Sequence, residues 1–220
     1  KGGIEILFQD DDLIGIVKPA GLLAVGTAKV RSQHALGLVR DAMGPNQRLW
    51  PVHRLDRGTS GVLLFARSRA VCDAIQAAWG DVQKIYGAVV QGRPDPPAGV
   101  IDQPLRDDKG LNARVGPHPA AKDARTVYRT LRTEGGRSQL ELELDTGRRH
   151  QIRAHLAWLG TPVVGDGRYG TKGPHMALHA RSLTFNHPNT GQRILLEAAI
   201  PTFFSGLMRP PRTAGPTNRR

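Results

Sequence analysis

The sequence has a single cysteine and no long hydrophobic run, and each scarcity excludes a class of protein. Cys72 alone cannot build an internal disulfide framework or a cysteine-rich zinc module. The longest apolar stretches, such as residues 62–66, are far too short to span a bilayer, and the first residues do not form a secretory signal. We therefore expect a cytoplasmic protein that has no membrane partner.

Positive charge is what the sequence has in excess. Its 220 residues include 31 Lys and Arg against 19 Asp and Glu, for a formal net charge of +12. A charge imbalance of this size indicates the kind of binding partner rather than the fold, and nucleic acid is the leading polyanionic candidate. Aromatic residues amount to only 5%, too few for a platform on which single strands stack. Affinity should therefore come mainly from Lys and Arg contacts with phosphates.

Hydrophobic periodicity predicts more strands than helices. The predicted strands are 4–8 and 13–17 as a hairpin, then 61–66, 84–90, 138–145, 178–185 and 193–200. The predicted helices are 34–43, 70–79 and 149–159, the last with Thr146 as a candidate cap, and 106–123 is predicted as an exposed loop or small hairpin. This pattern favours an α+β fold with a mixed, largely antiparallel β-sheet and flanking helices.

The chain is predicted to form one domain over residues 1–205. After Pro201 the composition turns to Pro, Arg, Thr and Gly, which predicts a disordered basic tail over 206–220. Its four arginines could lie along phosphates and make RNA affinity more dependent on salt.

Three local patterns imitate known sites without their context. Residues 165–170 match G-x-G-x-x-G, but the following residues 171–174 cannot make the helix that a dinucleotide site needs. Ser60 has half of a nucleophile elbow, which weakens a serine hydrolase and favours a turn serine bonded to local backbone. His175 and His179 have helical metal spacing on a segment predicted as a strand, so we predict no metal site.

Two basic segments are stronger candidates. Asp56 lies among two arginines and a histidine in the segment 53–57, and neighbouring cations favour the ionised form that a nucleophile or base needs. The alternative is a surface aspartate merely paired with arginine. Residues 146–155 place three arginines and two histidines at the start of a helix, where the dipole favours anions. There Arg153 can reach a buried carboxylate, while the alternative is a basic solvated helix face.

These residues resemble a known family. His53-Arg54-Leu55-Asp56 followed by Thr59-Ser60-Gly61 is similar to the catalytic motif of the RluA family of RNA pseudouridine synthases. Further segments resemble the family in the same order, and they are 6–11, 18–22, 84–89, 146–156, 160–166, 178–180 and 185–188. Arg149 stands where relatives usually have a small hydroxyl residue, which should add charge without removing chemistry. The resemblance spans about residues 5 to 200, so we expect no S4 RNA-binding domain.

The resemblance implies the pseudouridine synthase fold and isomerisation of specific uridines in rRNA or tRNA to pseudouridine. Asp56 would be the catalytic carboxylate, which adds to the base, attacks the sugar or removes a proton. Arg153 would pair with it, and Tyr86 would stack on the target base and take part in proton transfer from C5. Arg54 would enter the space left by a flipped base. The other residues expected to contact RNA are His53, Arg57, Arg148, Arg149 and His150.

No cofactor is chemically required for this isomerisation, because no group is gained. The resemblance also favours a monomer with no obligate protein partner. The alternative from another class is a catalytically silent RNA-binding protein of the same fold. Asp56, Tyr86 and Arg153 are all present, which argues against that alternative.

Overall fold

The computed structural model describes residues 4–27, 33–44, 47–108 and 112–208. In this part of the chain there are twelve strands and four α-helices. The strands are β1 (Glu5–Gln9), β2 (Leu13–Lys18), β3 (Trp50–Pro51), β4 (Ser60–Ala66), β5 (Gln83–Gln91), β6 (Ala98–Asp102), β7 (Leu105–Asp107), β8 (Ala113–Val115), β9 (Arg125–Glu134), β10 (Arg137–Leu144), β11 (Leu178–Asn186) and β12 (Arg193–Glu197). The helices are α1 (Ala35–Met43), α2 (Arg69–Ala77), α3 (Gln151–Trp158) and α4 (Phe203–Leu207).

Ten of these strands form one sheet. Its main order is β1-β2-β4-β11-β5-β10-β9-β6, with β3 added beside β4 and β12 beside β11. Every strand pairing within this sheet is antiparallel except that of β4 with β11. The predicted α+β class with a largely antiparallel sheet is therefore confirmed. The described residues contain no helix long and apolar enough to cross a membrane.

The first half of the sheet is covered on both faces, which explains why β4 is buried along its whole length. Leu63 and Phe65 point to the side of α1, where Val39 packs with them. Val62 and Leu64 point to the opposite side and pack with α2. An apolar run without alternation is what such a strand requires, since neither face meets water.

The close pairing of β4 with β11 requires glycine at position 61. Gly61 has a positive φ of 113°, and a Cβ there would lie 2.1 Å from the carbonyl oxygen of Ala180. Any side chain would therefore push the two strands apart, because no L-residue fits both the angle and the space. This pairing fixes the end of β4 that follows the Asp56 segment.

The second half of the sheet packs against α3. Side chains of β10 alternate between buried and partly exposed along the whole strand, as its sequence pattern predicted. Leu140 and Leu142 form one core cluster with Ile152 and Leu156 of α3. The amphipathic strand therefore holds the helix that carries Arg153, because both elements bury their apolar faces together.

Several strands have no clear signal in the sequence. In β9, burial alternates only in the first half and the rest is exposed, so the Arg- and Thr-rich sequence lacks a continuous pattern. The strand β6 begins within the Pro-rich stretch 93–99, and β3 has only two residues. Of the two possibilities for 106–123, the small hairpin is confirmed, since β7 pairs with β8.

The predicted tail boundary at residue 206 is wrong for residues 206–208. Helix α4 runs to Leu207, whose carbonyl accepts a hydrogen bond of 2.9 Å from Arg137 Nη1. Phe204 and Met208 are fully buried in the core cluster beneath α3. This short helix is stabilised by tertiary burial rather than by its own sequence, which contains a glycine and lacks a side-chain cap. The four tail arginines, within 209–220, lie outside the described residues.

Candidate active site

All nine residues predicted as site residues line one cleft of about 1030 Å³. They are His53, Arg54, Asp56, Arg57, Tyr86, Arg148, Arg149, His150 and Arg153. The cleft wall also contains Arg168 and Lys84, and among its described residues Asp56 is the only carboxylate. A single acid therefore faces seven basic side chains, which makes the cleft attractive to a polyanion.

The loop that carries Asp56 is fixed by backbone contacts at its far end. The amide of Thr59 donates to the carbonyl of Asp56 at 3.1 Å, which closes a turn directly before β4. Arg57 accepts at its carbonyl from the amide of Gly21 at 2.8 Å and donates from Nε to the Gly21 carbonyl at 2.9 Å. These hydrogen bonds hold the Asp56 loop and the turn after β2 together, which restricts the position of the Asp56 carboxylate.

Lys18, which we did not predict as a site residue, connects the Asp56 loop to the turn after β2. Its fully buried ammonium donates to the carbonyls of Leu22 at 2.7 Å, Pro19 at 3.0 Å and Arg57 at 3.4 Å. Burial lowers the pKa of Lys18 to about 8, against the opposing attraction of Asp56. Three carbonyl acceptors replace the water that a buried lysine loses, so this charge serves the packing of the two turns.

Arg153 connects two carboxylates. From α3, its Nη1 donates to Asp56 Oδ2 at 2.8 Å, and its Nε and Nη2 donate to the two oxygens of Asp166 at 2.7 and 2.8 Å. The Arg153 side chain is 9% exposed and that of Asp166 is fully buried. The guanidinium therefore has a fixed orientation, because the bidentate pair with Asp166 leaves one edge for Asp56.

Asp166 and Tyr169 both contact Arg153, and neither was predicted as a site residue. They come from the turn 165–170, which was rejected as a dinucleotide motif; its main-chain course is indeed a turn without a following helix. Tyr169 places its ring 5.1 Å from the Arg153 guanidinium carbon. The available signal was that Asp166 belongs to a segment carrying the family resemblance.

Electrostatics favours the charged forms of this pair. Burial alone would raise the pKa of Asp166, but the Arg153 hydrogen bonds and charge outweigh it and hold the pKa below its usual value. Burial would likewise lower the pKa of Arg153, whereas the two carboxylates raise it. The pair remains ionised at neutral pH, as a buried ion pair with satisfied hydrogen bonds does.

The helix α3 begins at Gln151, two residues later than predicted, and Thr146 is not its cap. The residue before the helix is His150, whose φ of 51° is in the left-handed region and whose side chain does not cap. Instead, Gln151 Oε1 accepts from the Arg148 amide at 2.9 Å and from the Thr146 hydroxyl at 2.8 Å. This buried amide holds the basic segment 146–150 in the conformation that opens onto the cleft.

His150 lies beside Asp56 in the centre of the site. Its Nε2 is 3.8 Å from Asp56 Oδ1, and its Nδ1 is 3.0 Å from the Tyr169 hydroxyl. Since that hydroxyl also accepts from the Ala113 amide, the arrangement fits a proton on Nε2, facing Asp56. Burial lowers the pKa of His150, with Asp56 opposing and neighbouring arginines reinforcing the shift. It is therefore neutral at neutral pH.

Tyr86 extends from β5 into the same cleft. Its ring is partly buried and packs against the core clusters on either side. Burial raises the pKa of the Tyr86 hydroxyl, and the charge of Asp56 raises it further. The hydroxyl has no hydrogen-bond partner among the described residues, and it remains protonated at neutral pH, which leaves it available to a bound molecule.

His53 is held as a neutral side chain. Its Nε2 accepts from the Leu64 amide at 3.1 Å, and its ring lies 5.1 Å from that of Trp79. Burial lowers the pKa of His53 to about 4, with the Lys84 ammonium adding to the shift. His53 therefore contributes a hydrogen-bond donor at Nδ1 rather than positive charge.

Ser60 and the histidine pair have structural roles. Ser60 is on a buried strand and bonds His179 Nδ1 at 2.9 Å, so the predicted bond to local backbone is wrong. The other nitrogen of His179 bonds the carbonyl of Ala198, and His175 packs on Phe203. Among the described residues, no group of three or more His, Cys, Asp or Glu side chains could hold a metal ion.

Comparisons with known proteins agree on one family. The family model described as RNA pseudouridylate synthase matches residues 12–158. An uncharacterized RNA pseudouridine synthase of Mycobacterium bovis is 37% identical over 90% of this chain and 70% of its own. A tRNA pseudouridine synthase C of Vibrio cholerae is 33% identical over 93% of this chain and 94% of its own. The solved human RNA pseudouridylate synthase domain containing 4 has a TM-score of 0.75 at 26% identity, covering 91% and 90% of the two chains.

Proposed function

Since the chain belongs to the RNA pseudouridylate synthase family, and is thus an isomerase that acts on RNA, we propose that Asp56 is its catalytic carboxylate. The resemblance of its motifs to the RluA family is confirmed by these matches. The observation that carries the proposal is the contact of Arg153 with Asp56, the one acid facing the cleft in the described part of the chain. An oriented carboxylate among cations can react at a nucleotide whose phosphates the cations bind.

The reaction breaks the N-glycosidic bond, turns the uracil and joins its C5 to the ribose. The numbers of atoms in substrate and product are equal. C5 loses its hydrogen as a proton, and N1, which no longer carries the ribose, gains one. We therefore assign to the protein a carboxylate that assists the cleavage, a surface for the detached base and a path for one proton. Asp56 and Tyr86 line the same cleft and provide the first two of these functions.

Tyr86 also fits the proton transfer. Its raised pKa keeps the hydroxyl protonated, so the oxygen accepts the C5 proton only as its own proton leaves. Asp56 is the carboxylate whose charge acts on this hydroxyl, and it is the acceptor we assign. One proton thus passes from C5 to the carboxylate through the phenol. The carboxylate then releases it to solvent, and N1, which no longer carries the ribose, takes up one proton.

Tyr86→Phe should lower turnover on the order of 10²-fold and leave the Kd for RNA nearly unchanged. The ring that supports the base remains, and only the proton path is lost. Single-turnover pseudouridine formation and a binding titration on the same RNA separate the two effects. Equal rates for both proteins would remove the hydroxyl from proton transfer.

The arginines and histidines of the cleft divide into cationic and neutral contacts. Arg54 and Arg149 are exposed on the cleft wall, and neither makes an intramolecular hydrogen bond in the described chain. Arg57 and Arg148 each use Nε for a backbone carbonyl and present their remaining N–H groups. We assign these four to phosphates, and His53 and His150 to neutral hydrogen bonds with the nucleotide.

Arg54 is in addition assigned to base flipping. It precedes Asp56 by two residues, and the buried Leu55 between them anchors the loop. A uridine in a stem must leave its stack before it meets Asp56, at a cost of a few kcal/mol. The exposed planar guanidinium of Arg54 is placed to fill the vacated space.

Arg54→Ala should slow modification of a uridine embedded in a stem at least about tenfold more than that of the same uridine in a flexible oligonucleotide. The Arg54 side chain matters only in a stem, where the neighbouring bases would otherwise fill the space that the flipped uridine leaves. The comparison uses kcat/KM for both RNAs, with Arg132→Ala, an exposed arginine of β9 outside the cleft, as the matched control. Equal losses on both RNAs would assign Arg54 to general affinity.

The direct test of the proposed function supplies rRNA and tRNA labelled with tritium at uridine C5. Since C5 forms the new bond, each conversion releases its tritium to water, and digestion of the RNA then identifies pseudouridine. We expect release with one or both RNAs and propose that the protein acts as a cytoplasmic monomer without cofactor. Binding without release from any RNA would identify a catalytically silent RNA-binding protein.

A further inference from the structure

The cleft contains a charged group to which the proposed reaction gives no role. Lys84 lines the cleft with a buried side chain, and the residue is only 4% exposed. Lys84 Nζ donates to the Trp79 carbonyl at 3.3 Å and lies 5.6 Å from the centre of the Trp79 ring. No carboxylate of the described residues is within 4 Å of it, so this ammonium has two donor positions without a protein acceptor.

A buried ammonium without a carboxylate partner is costly, and the structure offers Lys84 little compensation. Burial lowers its pKa, and the more distant carboxylates of Asp145 and Glu143 oppose that shift. Lys18 shows the contrast, since its ammonium has three carbonyl acceptors and no donor left over. Lys84 nevertheless lines the cleft with one hydrogen-bond acceptor for its three donor positions, which is expected of a binding group and not of packing.

The neighbours of Lys84 hold it in place without neutralising it. The Trp79 indole attracts the ammonium through its ring face, and the neutral His53 ring packs against the same indole. Trp79 Nε1 also lies 3.7 Å from where a Cβ of Gly147 would be, so the indole reaches the basic segment 146–150. These contacts form a preorganised wall around one cation.

The spacing to the catalytic centre matches an adjacent nucleotide. Lys84 and Tyr86 are two residues apart on β5 and line the same cleft, so they lie about 6.6 Å apart along the strand. Adjacent phosphates of one strand are separated by a single sugar–phosphate unit, a distance of the same order. A group two residues from Tyr86 can therefore contact the phosphate next to a nucleotide held at Tyr86.

We propose that Lys84, held by Trp79, binds the backbone phosphate of the nucleotide next to the target uridine. The assignment rests on the proposed function, since it places the uridine at Asp56 and Tyr86. The phosphate oxygens would accept the hydrogen bonds for which the Lys84 ammonium has no acceptor in the described part of the protein. The site thereby fixes the direction in which the strand leaves the catalytic centre.

The test removes the lysine charge and the phosphate charge separately. Lys84→Met keeps the length of the side chain and removes the ammonium, and Lys122→Met is the matched control at an exposed lysine outside the cleft. The RNA is a stem-loop synthesised around the uridine that the wild-type protein converts. Its variants carry a neutral methylphosphonate at one position, either next to that uridine or four nucleotides away.

Lys84→Met should weaken binding of the native stem-loop about tenfold and reduce the slope of log affinity against log salt by about one unit. The methylphosphonate beside the uridine should weaken wild-type binding similarly and leave binding by Lys84→Met unchanged. The distant methylphosphonate should affect both proteins equally, and Lys122→Met should behave as wild type. The melting temperature of Lys84→Met should be equal to or above that of wild type, because a buried unpaired charge is lost.

Equal sensitivity of wild type and Lys84→Met to the methylphosphonate next to the uridine would overturn the phosphate site. So would a lowered melting temperature with an unchanged salt slope, which would assign Lys84 to packing. A wild-type protein that converts no uridine would overturn the proposed function itself, and that result is obtained before any variant is made.

Discussion

Asp56→Asn should lower pseudouridine formation by at least about 10³-fold, as removal of a group that reacts with substrate does. The amide has the size of the carboxyl group and can still accept from Arg153 Nη1, which now donates to Asp56 Oδ2 at 2.8 Å. It has neither the charge nor the basicity of a carboxylate, so covalent attack and proton removal are both lost.

The same substitution should leave the fold nearly intact. The Asp56 side chain is 26% exposed, and Arg153 keeps its bidentate pair with the buried Asp166. We expect the free energy of unfolding to change by no more than about 1 kcal/mol and the Kd for RNA to change little. Urea unfolding, a binding titration and tritium release together measure these three quantities.

Asp73→Asn is the matched control for this experiment. Asp73 also pairs with an arginine, Arg69, at 2.8 Å, but it lies on the outer face of α2 away from the cleft. Activity should be unchanged there, since only an exposed ion pair is removed. Asp56→Asn activity within tenfold of wild type would contradict the catalytic assignment.

Asp166→Ala should have the largest effect on stability, about 3–5 kcal/mol, because it leaves a buried arginine without its main partner. Four donors would lose their acceptor: Nε and Nη2 of Arg153 and the backbone amides of Arg168 and Tyr169. Asp166→Asn keeps the side-chain volume and one acceptor oxygen, so its loss of stability should be smaller. Denaturant unfolding of both variants measures the difference.

Asp166→Asn also tests a positioning role in catalysis. Without the bidentate pair, the guanidinium is free to turn and no longer holds Asp56 in one place. We expect kcat to fall on the order of 10²-fold with the Kd for RNA nearly unchanged, at a temperature where the variant is shown to be folded. A variant that is less stable but keeps the wild-type kcat would limit Asp166 to a structural role.

The pH dependence of stability gives Asp166 a separate signature. Its pKa in the folded protein lies below the usual value, so its carboxylate stabilises the fold above the unfolded pKa of about 3.9. That contribution disappears as the pH falls from there through the folded pKa. Wild type should therefore lose stability on acidification more steeply than Asp166→Asn, which has no carboxylate to protonate. Parallel curves would show that Asp166 is not the responsible acid.

Regular local patterns made much of the fold predictable. The hairpin of β1 and β2, the strands β4, β5 and β10 and the helices α1 and α2 follow from runs and periods that depend on neighbouring residues alone. The edge strand β6, its neighbour β9 and the final helix α4 lack such patterns. They form because the rest of the molecule supplies pairing partners and an apolar surface, which a local window does not contain.

The sequence by itself determined the chemistry that is available: a carboxylate among cations at 53–57, a tyrosine on a strand and an arginine-rich entry to a helix. Only the tertiary structure decided how these groups act together. Asp56 and Arg153 are 97 residues apart in the sequence. Asp166, the acid that orients Arg153, comes from the turn between α3 and β11. Burial then made His53 and His150 neutral, and the packing around Lys84 gave its ammonium no carboxylate partner in the described chain. Desolvation depends on every element packed around a group, so residue type and spacing alone do not specify it.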